Sequence, residues 1–200
     1  MLFGELKNRV LQLAFNYSLA GTPIPSTYNN QADYLAMIPG LVNEAQMDIA
    51  ISHKRIAASK ALSDMTSTLS GGFDKYSWPS DCWQPFSNGL LDPLTLMRFP
   101  AVRYMPDCFY VPSGTPGTYL FEYWRYPEAV SSATADATEL DNTPDVHECL
   151  PYYVACGLLL YDDAYRAQEM RNEFLLRISK LREPLWLEPQ PIINRYFGEY

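Results

Sequence analysis

The sequence predicts a mainly α protein: a bundle of about four helices with an inserted antiparallel β element and an extended C-terminal arm. Segments near the N-terminus and in the last third of the chain carry apolar residues at three- and four-residue spacing, which is typical of helices with one buried face. Most of the 16 prolines and 10 glycines fall in the middle of the chain or in its tail. Those parts therefore cannot continue the helical pattern.

Two helices are predicted in the first third of the chain, over about residues 2–19 and 39–52. The apolar stripe of the first consists of Leu6, Val10, Leu13 and Tyr17. The stripe of the second consists of Leu41, Ala45, Gln46 and Ile49. Because a proline starts a helix well and breaks one in its middle, we expect a short turn from about Gln31 and the main helix from about Pro39.

A β-rich insertion is predicted over about residues 54–142, where the helical stripe disappears. "LTLMRF" and "CFYV" are short apolar runs bounded by proline, and "SGTPG" at 113–117 is a turn signal. In "TYLFEYW" the side chains alternate between two faces, with Tyr119, Phe121 and Tyr123 on one and Leu120, Glu122 and Trp124 on the other. This period of two indicates antiparallel strands.

The last two helices are predicted over about residues 144–161 and 163–182, as an αα-hairpin. Thr143 is a good N-cap residue, and Pro144 suits the first helical position. The adjacent Asp162 and Asp163 are interpreted as caps of the next helix, because consecutive residues do not face each other on a helix as a catalytic pair would. The core stripe of that helix is expected to be Ala167, Met170, Phe174, Ile178 and Leu181.

Residues 183–200 form the predicted C-terminal arm, in which three prolines exclude a helix. The arm is too apolar for an idle tail, since disordered termini are usually polar. Fully extended, it would span about 50 Å, enough to leave its own subunit. The candidate anchors for a partner are Trp186, Ile192, Ile193, Tyr196, Phe197 and Tyr200.

Composition and charge exclude several classes of function. With 48% hydrophobic and 19% charged residues the chain fits a packed globule, and no apolar run reaches membrane-spanning length. The N-terminus lacks the pattern of a secretion signal, so we expect a protein made inside a cell. A net charge of −8 argues against nonspecific nucleic-acid binding, which needs a basic surface.

No catalytic or metal-binding constellation is present in the sequence, so no cofactor and no metal are expected. Cys149 and Cys156 lie about 10 Å apart on one helix, too far for a disulfide, and are interpreted as core residues. Arginines interleave with glutamates after residue 165, which favours a solvated, salt-bridged face over a strip for phosphates. Its arginines are Arg166, Arg171, Arg177 and Arg182.

Several segments together resemble a known family. They are "NEAQ" at Asn43–Gln46, the tract "YLFEYWRYPE" before an acidic loop, and "LPYYVACGLLLYDDAYRAQEMRNEF". Over residues 1–182 the chain resembles the head–tail connector proteins of tailed bacteriophages, also called adaptor or head-completion proteins. These motifs are patterned structural segments rather than catalytic signatures, and the arm lies outside the resemblance.

The resemblance implies a virion protein of the phage neck, made in the host cytoplasm. It implies a homo-oligomeric ring of about twelve copies that binds the portal protein and the downstream neck or tail protein. DNA would pass through its channel without specific binding, and no membrane would be involved. From its apolar anchors, and not from the resemblance, we predict that the arm docks onto the portal or an adjacent copy; an arm that lies on its own bundle is the alternative. The candidate inter-subunit residues are Tyr119, Phe121, Tyr123 and Trp124.

Two alternatives to a phage neck protein remain open at this point. One is an intracellular scaffold or regulatory protein with an αα-hairpin core, which would have less reason for an aromatic arm. The other is a small hydrolase that uses Asp81, Asp107 or Asp162 with one of the two histidines. We expect the protein not to be an enzyme, because none of these residues has a partner at a credible spacing.

Overall fold

The structure is a computed structural model that describes residues 1–15, 31–62, 67–69, 72–98, 103–113, 118–160 and 162–181. Its helices are α1 Phe3–Phe15, α2 Gln31–Ser52, α3 Pro144–His147, α4 Leu150–Leu159 and α5 Ala164–Ile178. Its strands are β1 Ile56–Leu62, β2 Ser67–Leu69, β3 Phe73–Ser77, β4 Cys82–Leu91, β5 Arg103–Tyr104, β6 Cys108–Pro112 and β7 Tyr119–Arg125. Of the described residues, 1–56 and 125–181 form a helical unit, and 57–124 form a β unit.

The prediction of a mainly α protein is wrong, because the strands build two antiparallel sheets and the fold is mixed α and β. One sheet has the strand order β1-β7-β4, and the other has the order β2-β3-β6-β5. Most of these strands have no clear strand pattern in the sequence. "IAASKAL" in β1 and "FDKYS" in β3 are largely polar or small, so they lack the alternation that identifies a half-buried strand.

The core of the helical unit surrounds α4, which contacts α1, α2 and α5. Seven of the ten residues of α4 are buried, as expected for a helix that is apolar on nearly every face. The predicted stripes of the surrounding helices are confirmed by Leu6, Val10, Ala45, Ile49, Phe174 and Ile178, all of which are buried. Tyr17, at the end of the first stripe, lies outside the described residues.

Helix α2 runs through Pro39 without interruption, which contradicts the expected turn before that residue. A proline inside a helix lacks the N–H that would bond to the carbonyl one turn earlier. Ile38 and Val42, one turn apart on the same face, are both 0% exposed. The buried stripe therefore continues past the proline, and its packing offsets the lost hydrogen bond.

The predicted helix 144–161 is divided into α3 and α4, separated by Glu148 and Cys149. Pro151 explains the break, because its ring clashes with the carbonyl four residues earlier and removes a donor. Thr143 has the extended conformation of an N-cap but makes no capping hydrogen bond with its side chain. The capping role of Asp163 is confirmed, since its carboxylate accepts from the Arg166 N–H at 3.1 Å.

The β unit has a core of stacked aromatic rings. Tyr76 on β3 lies opposite Phe109 on β6 in the strand register, and their ring centroids are 5.3 Å apart. Phe109 stacks on Phe121 of β7 at 5.4 Å, and Phe121 stacks on Tyr123 at 5.3 Å. Since β6 and β7 belong to different sheets, the rings join the two sheets face to face.

Candidate interaction surfaces

The segment Asp92–Arg98, which we call the apolar loop, follows β4 and presents large apolar side chains to solvent. Leu94 is 93% exposed, Leu96 63% and Met97 71%. The sequence pattern "LTLMRF" suggested a strand here, but residues 93–95 form a turn and Arg98 makes only an isolated bridge to Leu91. Soluble proteins rarely cluster large apolar side chains in water unless a partner covers them.

Hydrogen bonds give the apolar loop a defined shape. The Asp92 carboxylate accepts from the Leu94 N–H and from the Thr95 hydroxyl, both at 2.9 Å. These bonds lower the pKa of Asp92. The Leu96 N–H donates to the Asp92 carbonyl at 2.8 Å, and the Asp92 N–H donates to the Met97 carbonyl at 2.9 Å.

Leu96 has a φ of 53°, and among the described residues it is the only one other than glycine with a positive φ. A left-handed conformation is unfavourable for leucine and persists only where the surroundings impose it. Here the turn imposes it while the side chain stays in solvent. Since strained residues cluster at functional sites, this exposed outlier makes the apolar loop a candidate contact surface.

The helical unit carries a second exposed apolar feature, a groove of about 550 Å³ that we call the apolar groove. It is lined by Met37, Leu41, Glu44, Asp48, Tyr153, Cys156, Gly157, Leu160, Arg171, Phe174 and Leu175. Met37, Leu160 and Leu175 on its walls are 44%, 54% and 51% exposed. Gly157 and Leu41, two of its lining residues, pack closely together, because a Cβ on Gly157 would lie 2.7 Å from the Leu41 Cδ2 atom.

Opposite charges flank the apolar groove. Glu44 and Asp48 of α2 contribute carboxylates, and Arg171 of α5 contributes a guanidinium. Burial raises the pKa of Tyr153, and the two carboxylates raise it further. Burial also raises the pKa of Cys156, which the charge of Arg171 partly offsets. The groove is therefore an apolar surface with an acidic and a basic side.

The "NEAQ" segment that supports the resemblance has structural roles on three sides of α2. The Asn43 side chain donates to the Val130 carbonyl and accepts from the Val130 N–H, both at 2.8 Å. Ala45 and Gln46 are 0% exposed. Glu44 lines the apolar groove. The motif thus fixes the connection after β7 to the helical core.

The arginines of α5 do not form one solvated face. The Arg166 guanidinium donates to the carbonyls of Leu13 and Ala14 at 2.7 and 3.1 Å, at the C-terminal end of α1. Arg177 lies over the Tyr152 ring at 4.3 Å and forms ion pairs with carboxylates. Arg171 lines the apolar groove. Arg182 lies outside the described residues.

The candidate inter-subunit residues lie in the core of the β unit. Tyr119, Phe121, Tyr123 and Trp124 are 1%, 0%, 3% and 4% exposed. The period of two of Tyr119, Phe121 and Tyr123 identified the strand correctly, but this aromatic face points towards the other sheet and not towards solvent. Trp124, on the opposite face, packs against Phe86 of β4. The candidate anchors of the arm, Trp186, Ile192, Ile193, Tyr196, Phe197 and Tyr200, lie outside the described residues.

Two of the three carboxylates of the hydrolase alternative, those of Asp81 and Asp162, accept hydrogen bonds from tyrosines. The Tyr123 hydroxyl donates to the Asp81 carboxylate at 3.1 Å, and the Tyr34 hydroxyl donates to Asp162. In the part of the chain that the structure describes, no group of three His, Cys, Asp or Glu residues is placed to hold a metal ion. Within the same ranges no helix is long and apolar enough to span a bilayer.

Comparison with known protein families gives one decisive result: the SU10 adaptor protein family matches residues 1–189. The chain belongs to this family. The predicted resemblance is thereby confirmed, and the match extends into the first part of the arm. No curated protein matches the sequence.

SU10 adaptor proteins are phage head–tail adaptors. Membership gives the chain an adaptor role in the phage neck or tail, as a component of the virion. It also implies interaction with other phage head or tail proteins. An adaptor needs surfaces for its neighbours, and the apolar loop and the apolar groove are candidates for such surfaces.

Proposed function

We propose that this adaptor forms a ring that joins the portal to the next neck or tail protein and extends the DNA channel. The observation that carries the proposal is the family match over residues 1–189, almost the whole chain. A ring of copies needs two different contact surfaces on each copy, and the apolar loop and the apolar groove provide such a pair.

The charge of the protein supports a channel role. The net charge is −8, and the connection 126–143 carries Glu128, Asp136 and Glu139, all exposed, and no basic residue. An acidic wall repels DNA phosphates, so a genome slides past it without binding. A basic surface of the same shape would hold the DNA by releasing its counterions.

The C-terminal arm is proposed as the contact with the portal or with an adjacent copy. Its prolines restrict the unbound chain and so reduce the entropy lost on docking. Its large apolar side chains are of the kind that dominate binding energies at interfaces, and strand addition to an exposed sheet edge is one way for it to dock. The proposed anchors are Trp186, Ile192, Ile193, Tyr196, Phe197 and Tyr200.

Truncation after Arg182 tests this function with purified portal protein. The expected result is a truncated chain that keeps the thermal unfolding midpoint of the full chain but no longer co-elutes with the portal. A matched control keeps the arm and its anchors while changing two polar positions, Gln190→Ala and Asn194→Ala, and is expected to bind normally. Normal portal binding by the truncated chain would contradict the role of the arm.

The ring itself is tested by electron microscopy of portal saturated with the full chain. Additional annular density on the channel axis, with the rotational symmetry of a closed ring, is the expected result. If the full chain neither binds portal nor lies at the neck of intact virions, the proposed function is wrong.

A further inference from the structure

We propose that the apolar loop of one copy inserts into the apolar groove of a second copy, and that this is the contact that closes the ring. The inference rests on the proposed ring and names the surfaces that form it. It arises from two features that the adaptor function alone does not explain: a strained loop with three exposed apolar side chains, and an open apolar groove on the helical unit.

The two surfaces match in chemistry. Leu94, Leu96 and Met97 expose between 63% and 93% of their area. The groove, about 550 Å³ in volume, is lined by aliphatic, aromatic and sulfur-containing side chains and has room for more than one such side chain. Insertion would remove apolar area from water on both sides of the contact, which is the main favourable term in association.

The charges around the two surfaces also match. The apolar side chains of the loop lie between Asp92 at one end and Arg98 at the other. The groove has Arg171 on one side and the carboxylates of Glu44 and Asp48 on the other. An insertion that places Asp92 near Arg171 is therefore favoured over the reverse orientation, which would place Asp92 near Glu44 and Asp48.

The loop is already shaped for insertion. The bonds from the Asp92 carboxylate to Leu94 and Thr95 fix the turn in a single copy, and Leu96 already has its left-handed conformation. A loop with a fixed shape loses less conformational entropy when it docks. More of the free energy gained by burying apolar area then contributes to the affinity. A mobile loop with the same side chains would bind more weakly.

The composition of the contact is compatible with a closed ring. The loop belongs to the β unit and the groove to the helical unit, so a contact between them uses different surfaces on the two copies. Such a heterologous contact repeats head to tail and generates a ring when the rotation closes. A two-fold dimer results instead if the loop of each copy enters the groove of the other, and cross-linking then stops at two copies.

Disulfide trapping tests the contact directly, because the groove contains the native Cys156. Leu94→Cys and Met97→Cys are made separately, assembled on portal and oxidised. The expected result is a ladder of covalently linked copies on a non-reducing gel, which disappears when Cys156→Ser is added. A control cysteine at Ser80, exposed in a turn of the same unit, is expected to give no ladder.

Two neighbouring leucines of α5 provide a matched pair for the groove. Leu175 lines the apolar groove, whereas Leu176 does not, and both are 51% exposed. Leu175→Ser is expected to weaken association between copies about tenfold, since burial of one leucine is lost, while Leu176→Ser leaves it unchanged. Both variants should keep the unfolding midpoint of the parent within a narrow range, because both side chains are half exposed.

The outcomes separate this inference from the function on which it rests. The loop-and-groove contact is wrong if Leu175→Ser forms a normal ring on the portal and the cysteine variants give no ladder. The adaptor ring itself would still stand in that case. A disulfide confined to monomers means that the loop occupies the groove of its own copy, and this also overturns the inference. Failure of the parent chain to form any ring overturns both.

Discussion

The helical unit and the β unit achieve burial with different side chains. The helical core is mainly aliphatic: Leu150 and Val154 of the central helix α4 and Leu6 and Val42 of its neighbours are each 0% exposed. The core of the β unit consists largely of rings, with Tyr76, Phe109, Phe121 and Tyr123 in mutual contact. Many small contributions stabilise the first unit, whereas a few large ones stabilise the second.

This difference predicts how strongly the loss of one core side chain destabilises each unit. In a small core one ring accounts for a large share of the buried area, so its removal is felt throughout the unit. In the helical unit one side chain accounts for a smaller share of the buried area, because several helices contribute to the core. The β unit also carries the apolar loop, so its aromatic core is the support on which the proposed contact between copies depends.

The largest effect is expected from Phe121→Ala. This ring is 0% exposed and stacks on both Phe109 and Tyr123. Its removal should destabilise the β unit by about 3–5 kcal/mol, because it leaves a cavity and deletes two ring contacts. Urea unfolding followed by near-ultraviolet circular dichroism measures the aromatic packing directly.

The corresponding change in the helical unit is Phe174→Ala. Phe174 lies at the edge of its core, 7% exposed and edge-on to Tyr153 at 5.2 Å. A cost of about 3 kcal/mol is expected, at the lower end for a buried phenylalanine. Amide exchange should show lost protection in the helices only. If both variants lost the same free energy of unfolding, and each lost amide-exchange protection in both units, the two cores would unfold together.

The next largest effect concerns the connection from β7 back to the helices. The Arg125 guanidinium donates to the Asp141 carboxylate from both of its terminal nitrogens, and Asp141 also accepts from the Glu128 N–H at 2.9 Å. The two side chains are about one-fifth exposed. Asp141→Ala should cost about 2 kcal/mol, because it removes the carboxylate that binds a partly buried guanidinium.

Asp136→Ala is the matched control for this ion pair. Asp136 lies in the same connection and pairs with Lys7, but its side chain is 70% exposed. Exposed ion pairs contribute little, so a cost below about 0.5 kcal/mol is expected. Denaturant midpoints of the two variants give the comparison, and a similar loss from both would contradict a special role for Asp141.

A gain in stability is expected from Gln46→Met. Gln46 is 0% exposed, and neither amide atom has a hydrogen-bond partner within the described residues. A methionine of similar shape removes the cost of burying that amide, so thermal unfolding should show about 1 kcal/mol of added stability. Exposed Gln168 is the control for the same substitution. Destabilisation by Gln46→Met would reveal a buried polar partner for the amide.

The smallest effect is a pH dependence of the helical unit. Burial lowers the pKa of His147 below its ordinary value of 6.5, and the nearby N-terminal ammonium lowers it further. The Leu140 carbonyl and the carboxylates of Glu139 and Asp145 act in the opposite direction without reversing the shift. The unfolded chain therefore binds the proton more tightly, so stability is lost as the pH falls from 6.5 towards the lower folded value.

His147→Gln should flatten this part of the stability profile, measured as urea midpoints between neutral and mildly acidic pH. His53→Gln, at a partly exposed position after α2, is the control for replacing a histidine by glutamine elsewhere in the chain. The slope is the deciding quantity, since either substitution can lower the absolute stability. An unchanged slope in His147→Gln would contradict the assignment.

The sequence by itself determined the helical stripes, the strand β7 and the cap of α5, and the patterned segments were sufficient to recognise the family. These features are local: apolar spacing follows the helical or strand period, and a capping carboxylate bonds within its own turn. The aromatic alternation of Tyr119, Phe121 and Tyr123 is of the same kind. It revealed a strand but could not reveal that the aromatic face meets a second sheet.

Only the tertiary structure decided which apolar residues are covered and which are left in water. "LTLMRF" and "TYLFEYW" are both apolar, yet Leu94 is 93% exposed and Phe121 is 0% exposed. The mixed fold, the passage of α2 through Pro39 and the capping of α1 by Arg166 were likewise decided by packing between distant segments. Exposure depends on which segments meet in space, and a period in the sequence does not carry that information.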